Sequence, residues 1–279
     1  MAYLISDLEE VRRRAIDIRA DILEMIPAGK AGHLGGSCSA ADITAALYFK
    51  HMNVFDDPKD PRRDRCIFSK GHAVLAQYAC FVELGYVDRS ELAKVKTIEG
   101  ILQGHPDMDL TPGIEAVTGS LGQGLSISLG MALGLKLNDS SSRVYAVVGD
   151  GELSEGQIWE AAMAASVYKA DNLCAIIDYN LVQATDTTEK VFPILDIKDK
   201  WAAFGWHVIE IDGHDIEQIL TALDKAREIK GKPTAILAHT VKGKGFSFAE
   251  GSAKYHNASM TEDEYRQALA AIEQMRMEV

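Results

Sequence analysis

Positive charge is what this chain has too little of: 29 lysines and arginines face 41 aspartates and glutamates, a formal net charge of −12. That balance excludes a general surface for nucleic acid or anionic lipid and leaves room only for a local basic pocket. Cysteine is scarce as well. Cys38, Cys66, Cys80 and Cys174 are scattered without a CxxC pair, which argues against disulfides and zinc and predicts buried free thiols in a reducing compartment. No apolar run approaches the roughly 18 residues that a membrane span needs. The stretch from Met1 to Arg19 is charged and amphipathic, unlike a signal peptide, so the expectation is a cytoplasmic protein with no membrane or nucleic-acid partner. Repeats, low-complexity tracts and linkers are missing. So are GxxxxGK[ST] and a GxGxxG after the first strand, which disfavours two common nucleotide cradles.

What is present is an alternation of apolar runs with helical patterns over 279 residues, 47% of them hydrophobic. Leu8, Val11, Ala15, Ile18, Ile22 and Ile26 recur at helical spacing until Pro27, with Ser6 as the expected N-cap and Glu9 three residues on. Lys30 to Ser37 reads as a glycine-rich loop around His33, and Ser39 as the cap of a helix reaching about His51. Arg65 to Phe68 is a strand, and Ser69-Lys-Gly-His72 turns into the helix of Leu75 to Leu84, which puts His72 where a helix N-terminus favours an anion. Asp88 to Glu99 reads as a polar helix, and Gln103 to Asp107 as a turn carrying His105.

Thr118 to Gly124 is a second glycine-rich loop, feeding a helix over 125–137. Strands are expected over 144–149, 173–177, 206–211 and 233–238. Helices are expected from Ser154 and Glu155 to Val167, over 197–204 and 216–229, and after Thr261 with Glu264 three residues on. The alternation implies an α/β fold, a parallel sheet with helices on both faces.

Two strand ends carry the chemistry. Val144 to Val148 stops at Gly149-Asp150-Gly151, and Leu173 to Ile177 ends in Asp178-Tyr179-Asn180, so one parallel sheet would bring a carboxylate and an amide oxygen together. Hard oxygens beside glycines suit a magnesium ion carrying a diphosphate, with the carbonyl of Val182 as a further ligand. Leu181 to Lys190, without a clean period, reads as a loop over this site. His33, His72, His105 and His256 all fall in loops bounded by glycine or proline, where imidazoles suit hydroxyl and phosphate recognition and proton transfer near neutrality. His51, His207 and His214 sit at a helix end, in a strand and in a capping turn, and read as structural. Lys242 and Lys244 follow a strand end between glycines, a place for a phosphate contact.

These residues carry a resemblance. Gly149-Asp-Gly151 with Asn180 looks like the metal and diphosphate motif of thiamine-diphosphate enzymes. Ala31-Gly-His-Leu-Gly-Gly-Ser37, Ser69-Lys-Gly-His72, Gly104-His-Pro-Asp107, Thr118-Gly-Ser-Leu-Gly-Gln-Gly124, Gly149-Asp-Gly-Glu-Leu-Ser-Glu-Gly156 and Thr240-Val-Lys-Gly-Lys-Gly245 together resemble transketolase. The resemblance spans nearly the whole chain but only the N-terminal, diphosphate-binding part of that family. It implies that residues 1–279 form one such domain, with the pyrimidine-binding and C-terminal domains on a separate chain and the two chains assembled as a heterotetramer.

The resemblance further implies thiamine diphosphate held through a divalent metal, magnesium or in its place calcium or manganese, on Asp150, Asn180 and the Val182 carbonyl. Gly151, His72 and Lys242 would meet the diphosphate, and Gly119, Ser120 and Leu121 the aminopyrimidine. His105 would contact donor hydroxyls, His33 and His256 would bind substrate and move protons, and Glu155 would link paired sites. The implied reaction moves a two-carbon ketol unit from a ketose phosphate to an aldose phosphate, the cofactor serving as electron sink. The chain departs from the family at Leu181 and Asn257, where glycine is usual, and along Gln183 to Thr188. The rivals are half of another thiamine-diphosphate enzyme, either deoxyxylulose-phosphate synthase-like or the α subunit of a 2-oxo acid dehydrogenase, and a non-catalytic relic of the fold.

Overall fold

The computed structural model describes residues 7–279. The cap expected at Ser6 lies outside them, and the first helix, α1 (Leu8–Met25), is capped by Asp7, whose carboxylate accepts from the Glu9 N–H at 3.0 Å. After it come α2 (Leu34–Ser39), α3 (Ala41–Ala46) and a π turn, Leu47–His51. The glycine-rich stretch is therefore helical from Leu34 onward, and Ser39 ends α2 where a cap for the next helix was expected. All six residues of α2 are buried, so packing overrides the poor helix propensity of Gly35 and Gly36. Of the polar helix expected over 88–99 only a 3-10 segment forms, Arg89–Lys94, capped by Asp88. Leu92 is its single buried residue, too small an apolar face to support a longer helix.

Five parallel strands make the sheet: β1 (Arg65–Phe68), β2 (Val144–Gly149), β3 (Leu173–Tyr179), β4 (His207–Asp212) and β5 (Thr234–His239), in the order β1-β2-β3-β5-β4. Each agrees with the expected strand to within one or two residues. The remaining helices are α4 (Leu75–Glu83), α5 (Gln123–Leu137), α6 (Gly156–Val167), α7 (Thr188–Val191), α8 (Ile197–Ala203), α9 (Ile216–Glu228) and α10 (Glu262–Glu278). Asp215 caps α9, and Thr261 with Glu264 forms the expected capping box of α10. Glu155 stands at the N-cap of α6 with no side-chain cap bond, and a 3-10 turn, Gly151–Ser154, precedes it.

Side chains alternate across the sheet, as the two-residue strand period requires. Tyr145 and Val147 of β2, Cys174 and Ile176 of β3, and Ile236 and Ala238 of β5 enter a core shared with α1, α3, α4, α9 and α10. Val144, Ala146 and Val148, then Leu173, Ala175 and Ile177, then Ala235 and Leu237 enter a second core, shared with α5, α6 and α8. Helices thus cover both faces, and the central strands have no solvated side, which explains their continuous apolar runs. The four cysteines are free and buried. No helix among the described residues is long and apolar enough to cross a membrane.

Candidate active site

Parallel strands deliver all their carboxyl ends to one edge of the sheet, and the register sets Gly149 beside Asp178 there. The turns leaving β1, β2, β3 and β5 enclose a cavity of about 430 Å³. His33, His72, His105 and His256 line it, together with Gly119, Leu121, Asp150, Gly151, Glu155, Asn180, Val182 and Lys242. The structure therefore brings these candidates together. Ser120 is the exception: it is exposed and does not line the cavity. Lys244 also stays out, and His51 and His207 lie elsewhere.

Two neighbouring aspartates at the strand ends have opposite surroundings. Asp178 is fully buried and saturated. It pairs with the Lys70 ammonium, accepts from the Thr240 hydroxyl, from Ser39 Oγ at 2.6 Å and from Asn180 Nδ2 at 3.2 Å. Burial pushes its carboxyl up, but Lys70 and these hydroxyls outweigh burial and hold it below the usual range. Among the described residues Asp150 accepts only from the backbone N–H groups of Gly151 and Leu181. Burial, with the Asp178 charge beside it, pushes its carboxyl up to about 6. A carboxylate so short of partners is one that a cation would stabilise.

Asn180 is oriented by its neighbours. Its Nδ2 donates to Asp178, and its Oδ1 accepts from the Val182 N–H at 3.1 Å, so the amide is fixed at both ends in a cavity that Asp150 also lines. The Val182 carbonyl accepts from Lys242 Nζ at 2.9 Å, and Lys242 also reaches His256 Nδ1 at 3.2 Å. Lys242 is 3% exposed; burial and then the Lys70 ammonium bring its pKa down to about 8.

The four imidazoles form one cluster. The His33 ring centroid lies 5.2 Å from His72, 5.9 Å from His105 and 5.5 Å from His256, and His72 and His256 are 4.7 Å apart. Burial, then neighbouring cations, lowers the pKa of His33 to about 3 and of His256 to about 4, and shifts His72 and His105 the same way. All four are therefore neutral near pH 7, able to accept or donate hydrogen bonds to hydroxyls. A pocket of neutral imidazoles beside two buried lysines suits an anion bearing hydroxyl groups.

Glycine permits close approach at two points, Gly119 on the cavity wall and Gly124 outside it. Gly119 has φ +139°, and a Cβ there would lie 2.8 Å from His105 Cδ2. Gly124 lies so close to the β1 turn that a Cβ would fall 2.5 Å from Ser69 Cα. Glu152 fastens these loops: it is 2% exposed and accepts from the Ser69 hydroxyl, from Gly122 N at 2.8 Å and from Gly149 N at 3.0 Å.

Glu152, Asp178 and Lys70 escaped sequence reasoning although each lies inside a motif it singled out. One signal was available for Asp178: an acid ending an apolar strand with neighbours on both sides must be paired or functional.

Among the described residues, no group of three or more His, Cys, Asp or Glu side chains could hold a metal ion. A cation here would be bound by hard oxygens alone, from Asp150, Asn180 and the second lone pair of the Val182 carbonyl, completed by oxygens of the ligand it carries. That donor set fits magnesium or calcium with a diphosphate and disfavours zinc.

Comparison with known proteins gives the family. The family described as "Transketolase, thiamine diphosphate binding domain" matches residues 11–274. The 6-deoxy-6-sulfo-D-fructose transketolase subunit SqwG of Clostridium sp. (strain MSTE9) is 43% identical over 95% of this chain and 96% of its own length. An apulose-4-phosphate transketolase subunit from Phocaeicola vulgatus is 42% identical over 91% of this chain and 90% of its own. Human transketolase is 38% identical over 95% of this chain, which spans 42% of that protein. Among solved structures, the transketolase of Campylobacter jejuni superimposes with a TM-score of 0.88 at 31% identity, covering 96% of this chain and 43% of that one. The chain belongs to the transketolase family, through its thiamine diphosphate binding domain.

Proposed function

We propose that this chain is the N-terminal, diphosphate-binding subunit of a two-chain transketolase. Residues 1–279 act as one domain, and a second subunit carrying the pyrimidine-binding domain completes the site in a cytoplasmic heterotetramer of two copies of each. The observation that carries this reading is the single cavity in which Asp150, Asn180 and the Val182 carbonyl stand beside Lys242 and four neutral histidines. Relatives named as transketolase subunits match this chain over nearly their whole length, which supports the division into two chains.

The substrate class is a ketose donor and an aldose acceptor bearing an anionic end group, between which a two-carbon ketol unit passes. When bound, thiamine diphosphate supplies an electron sink at the donor carbonyl carbon. Asp150, Asn180 and Val182 hold the magnesium, and Lys242, His72 and Gly151 meet the diphosphate. Gly119 and Leu121, with Ser120 beside them, form the wall for the aminopyrimidine. His105 binds the donor hydroxyls, and His33 and His256 hold substrate hydroxyls and move their protons. Glu155, exposed at the cavity rim, faces the partner. Relatives named for 6-deoxy-6-sulfo-D-fructose and apulose-4-phosphate support sulfonated or branched sugars within this class.

The test is a ketol-transfer assay with xylulose phosphate as donor, run on the purified chain and on the chain reconstituted with the product of a neighbouring reading frame that encodes a pyrimidine-binding domain. Turnover is expected only in the reconstituted complex. Substantial turnover by the chain alone would reject the two-chain reading.

A further inference from the structure

The loop after β5, residues 240–245, carries Lys242 into the cavity, and it is gripped from behind. His214, in the turn between β4 and α9, accepts from the Val241 N–H on Nε2 at 2.8 Å, and its Nδ1 lies 2.7 Å from Asp42 Oδ2. A backbone N–H can only donate, so Nε2 carries no proton, and Nδ1–H donates to Asp42. The two partners together set the tautomer. The turn has little freedom to withdraw: Gly213 N donates to the His239 carbonyl at 2.7 Å, and a Cβ on Gly213 would fall 2.4 Å from Thr240 Cγ2.

Asp42 is itself held. Arg19 of α1, 4% exposed, donates to both Asp42 oxygens, and its Nε donates to the Lys244 carbonyl at 3.1 Å. Burial pushes the Asp42 carboxyl up, but the Arg19 guanidinium and the His214 hydrogen bond outweigh burial and hold it well below the usual carboxylate range. The line Arg19, Asp42, His214 therefore grips the loop at Val241 N and at the Lys244 carbonyl, on either side of Lys242. None of the three lines the cavity.

We propose that His214, oriented by Asp42 and Arg19, is the positioning residue for Lys242, fixing the backbone that aims its ammonium at the bound diphosphate. The inference rests on Lys242 being a diphosphate contact, as read above. His214 does not line the cavity, so its effect on binding is indirect, and coupling to Lys242 separates this route from one through Thr240 and Asp178.

A double-mutant cycle tests this on the full chain, with calorimetric titration of inorganic pyrophosphate in excess Mg²⁺ and a melting curve of each variant without ligand. His214→Leu is expected to weaken pyrophosphate binding by about tenfold, the usual size of an outer-shell loss. Lys242→Met should cost at least as much, and the double variant no more than Lys242→Met alone, since the two act as one unit. His214→Gln, which can still accept from Val241, should recover most of the affinity. Should His214→Leu not fold, Asp42→Asn, which takes away the charge that orients the imidazole, replaces it in the cycle. Additive costs in the double variant, or unchanged affinity in the His214 variant, would overturn the proposal. An unaffected Lys242→Met would instead reject Lys242 as a diphosphate contact, and absence of binding by the native chain would reject both.

Discussion

At the amino end of the sheet Asp64 is buried just ahead of β1, accepting from Asn53 N at 2.9 Å and Arg143 N at 2.7 Å, with Arg227 3.5 Å away. At the carboxyl end Asp150 is buried just past β2, also held by two backbone N–H groups. Both ends hold a histidine whose pKa burial lowers to about 3, His51 below and His33 above. The difference is space. Beside Asp64 the void is about 10 Å³, too small for more than one water, whereas Asp150 opens on about 430 Å³. His51 is closed off by the Tyr145 hydroxyl at 2.9 Å, while His33 faces three other imidazoles. Perturbed ionisation alone thus does not mark a site in this fold; perturbed groups converging on a void do.

The comparison breaks most visibly at Asp178, a carboxylate of the upper end that is paired with an ammonium and hydrogen-bonded by three side chains. Asp178→Asn leaves Lys70 buried without a counter-charge, and chemical denaturation should show a loss of about 3–5 kcal/mol. It also frees the Asn180 amide to turn, so magnesium-dependent ligand binding should disappear. Asp64→Asn should cost less, about 1–3 kcal/mol, and leave ligand affinity unchanged. Equal effects of the two substitutions on binding would erase the distinction between the ends.

A smaller effect is expected from pH. The folded pKa of Lys242, about 8, lies below its ordinary value of 10.5, so above pH 8 its amine is neutral and cannot pair with an oxyanion. Pyrophosphate affinity should fall as pH rises past 8, by up to about tenfold per unit where this group dominates. Between pH 8 and 10.5 the unfolded chain holds a proton that the folded chain lacks, so the contribution of Lys242 to ligand-free stability rises over the same range. Affinity independent of pH across this window in calorimetric titrations would exclude Lys242 from the contact. The smallest change is expected at His239, whose pair with Glu210 at 2.7 Å is solvent-exposed. His239→Ala should shift stability by less than about 1 kcal/mol and leave binding untouched.

What could be seen in the sequence follows from which forces are local. The strands were legible because both faces of the sheet are covered, so β2 and β3 read as unbroken apolar runs ending in Asp150 and Asn180. The capping box at Thr261 was legible because its partner Glu264 lies three residues away. The helix over Leu34–Ser39 was hidden by its glycines, whose propensity yields to burial. Long-range polar contacts left no spacing to find: Lys70 meets Asp178, Ser69 meets Glu152, and His214 meets Asp42 across 172 positions. His214 therefore read as a capping-turn residue, although it ties that turn to the loop of Lys242.

Every role proposed for this cavity depends on Asp150 anchoring a metal-bound diphosphate. Calorimetric titration of thiamine diphosphate into the chain, with and without Mg²⁺, for the native protein and for Asp150→Ala, tests it most directly. Binding that requires Mg²⁺ in the native chain and vanishes in the variant is the predicted result. Binding that ignores the metal, or that survives in Asp150→Ala with unchanged affinity, would contradict it.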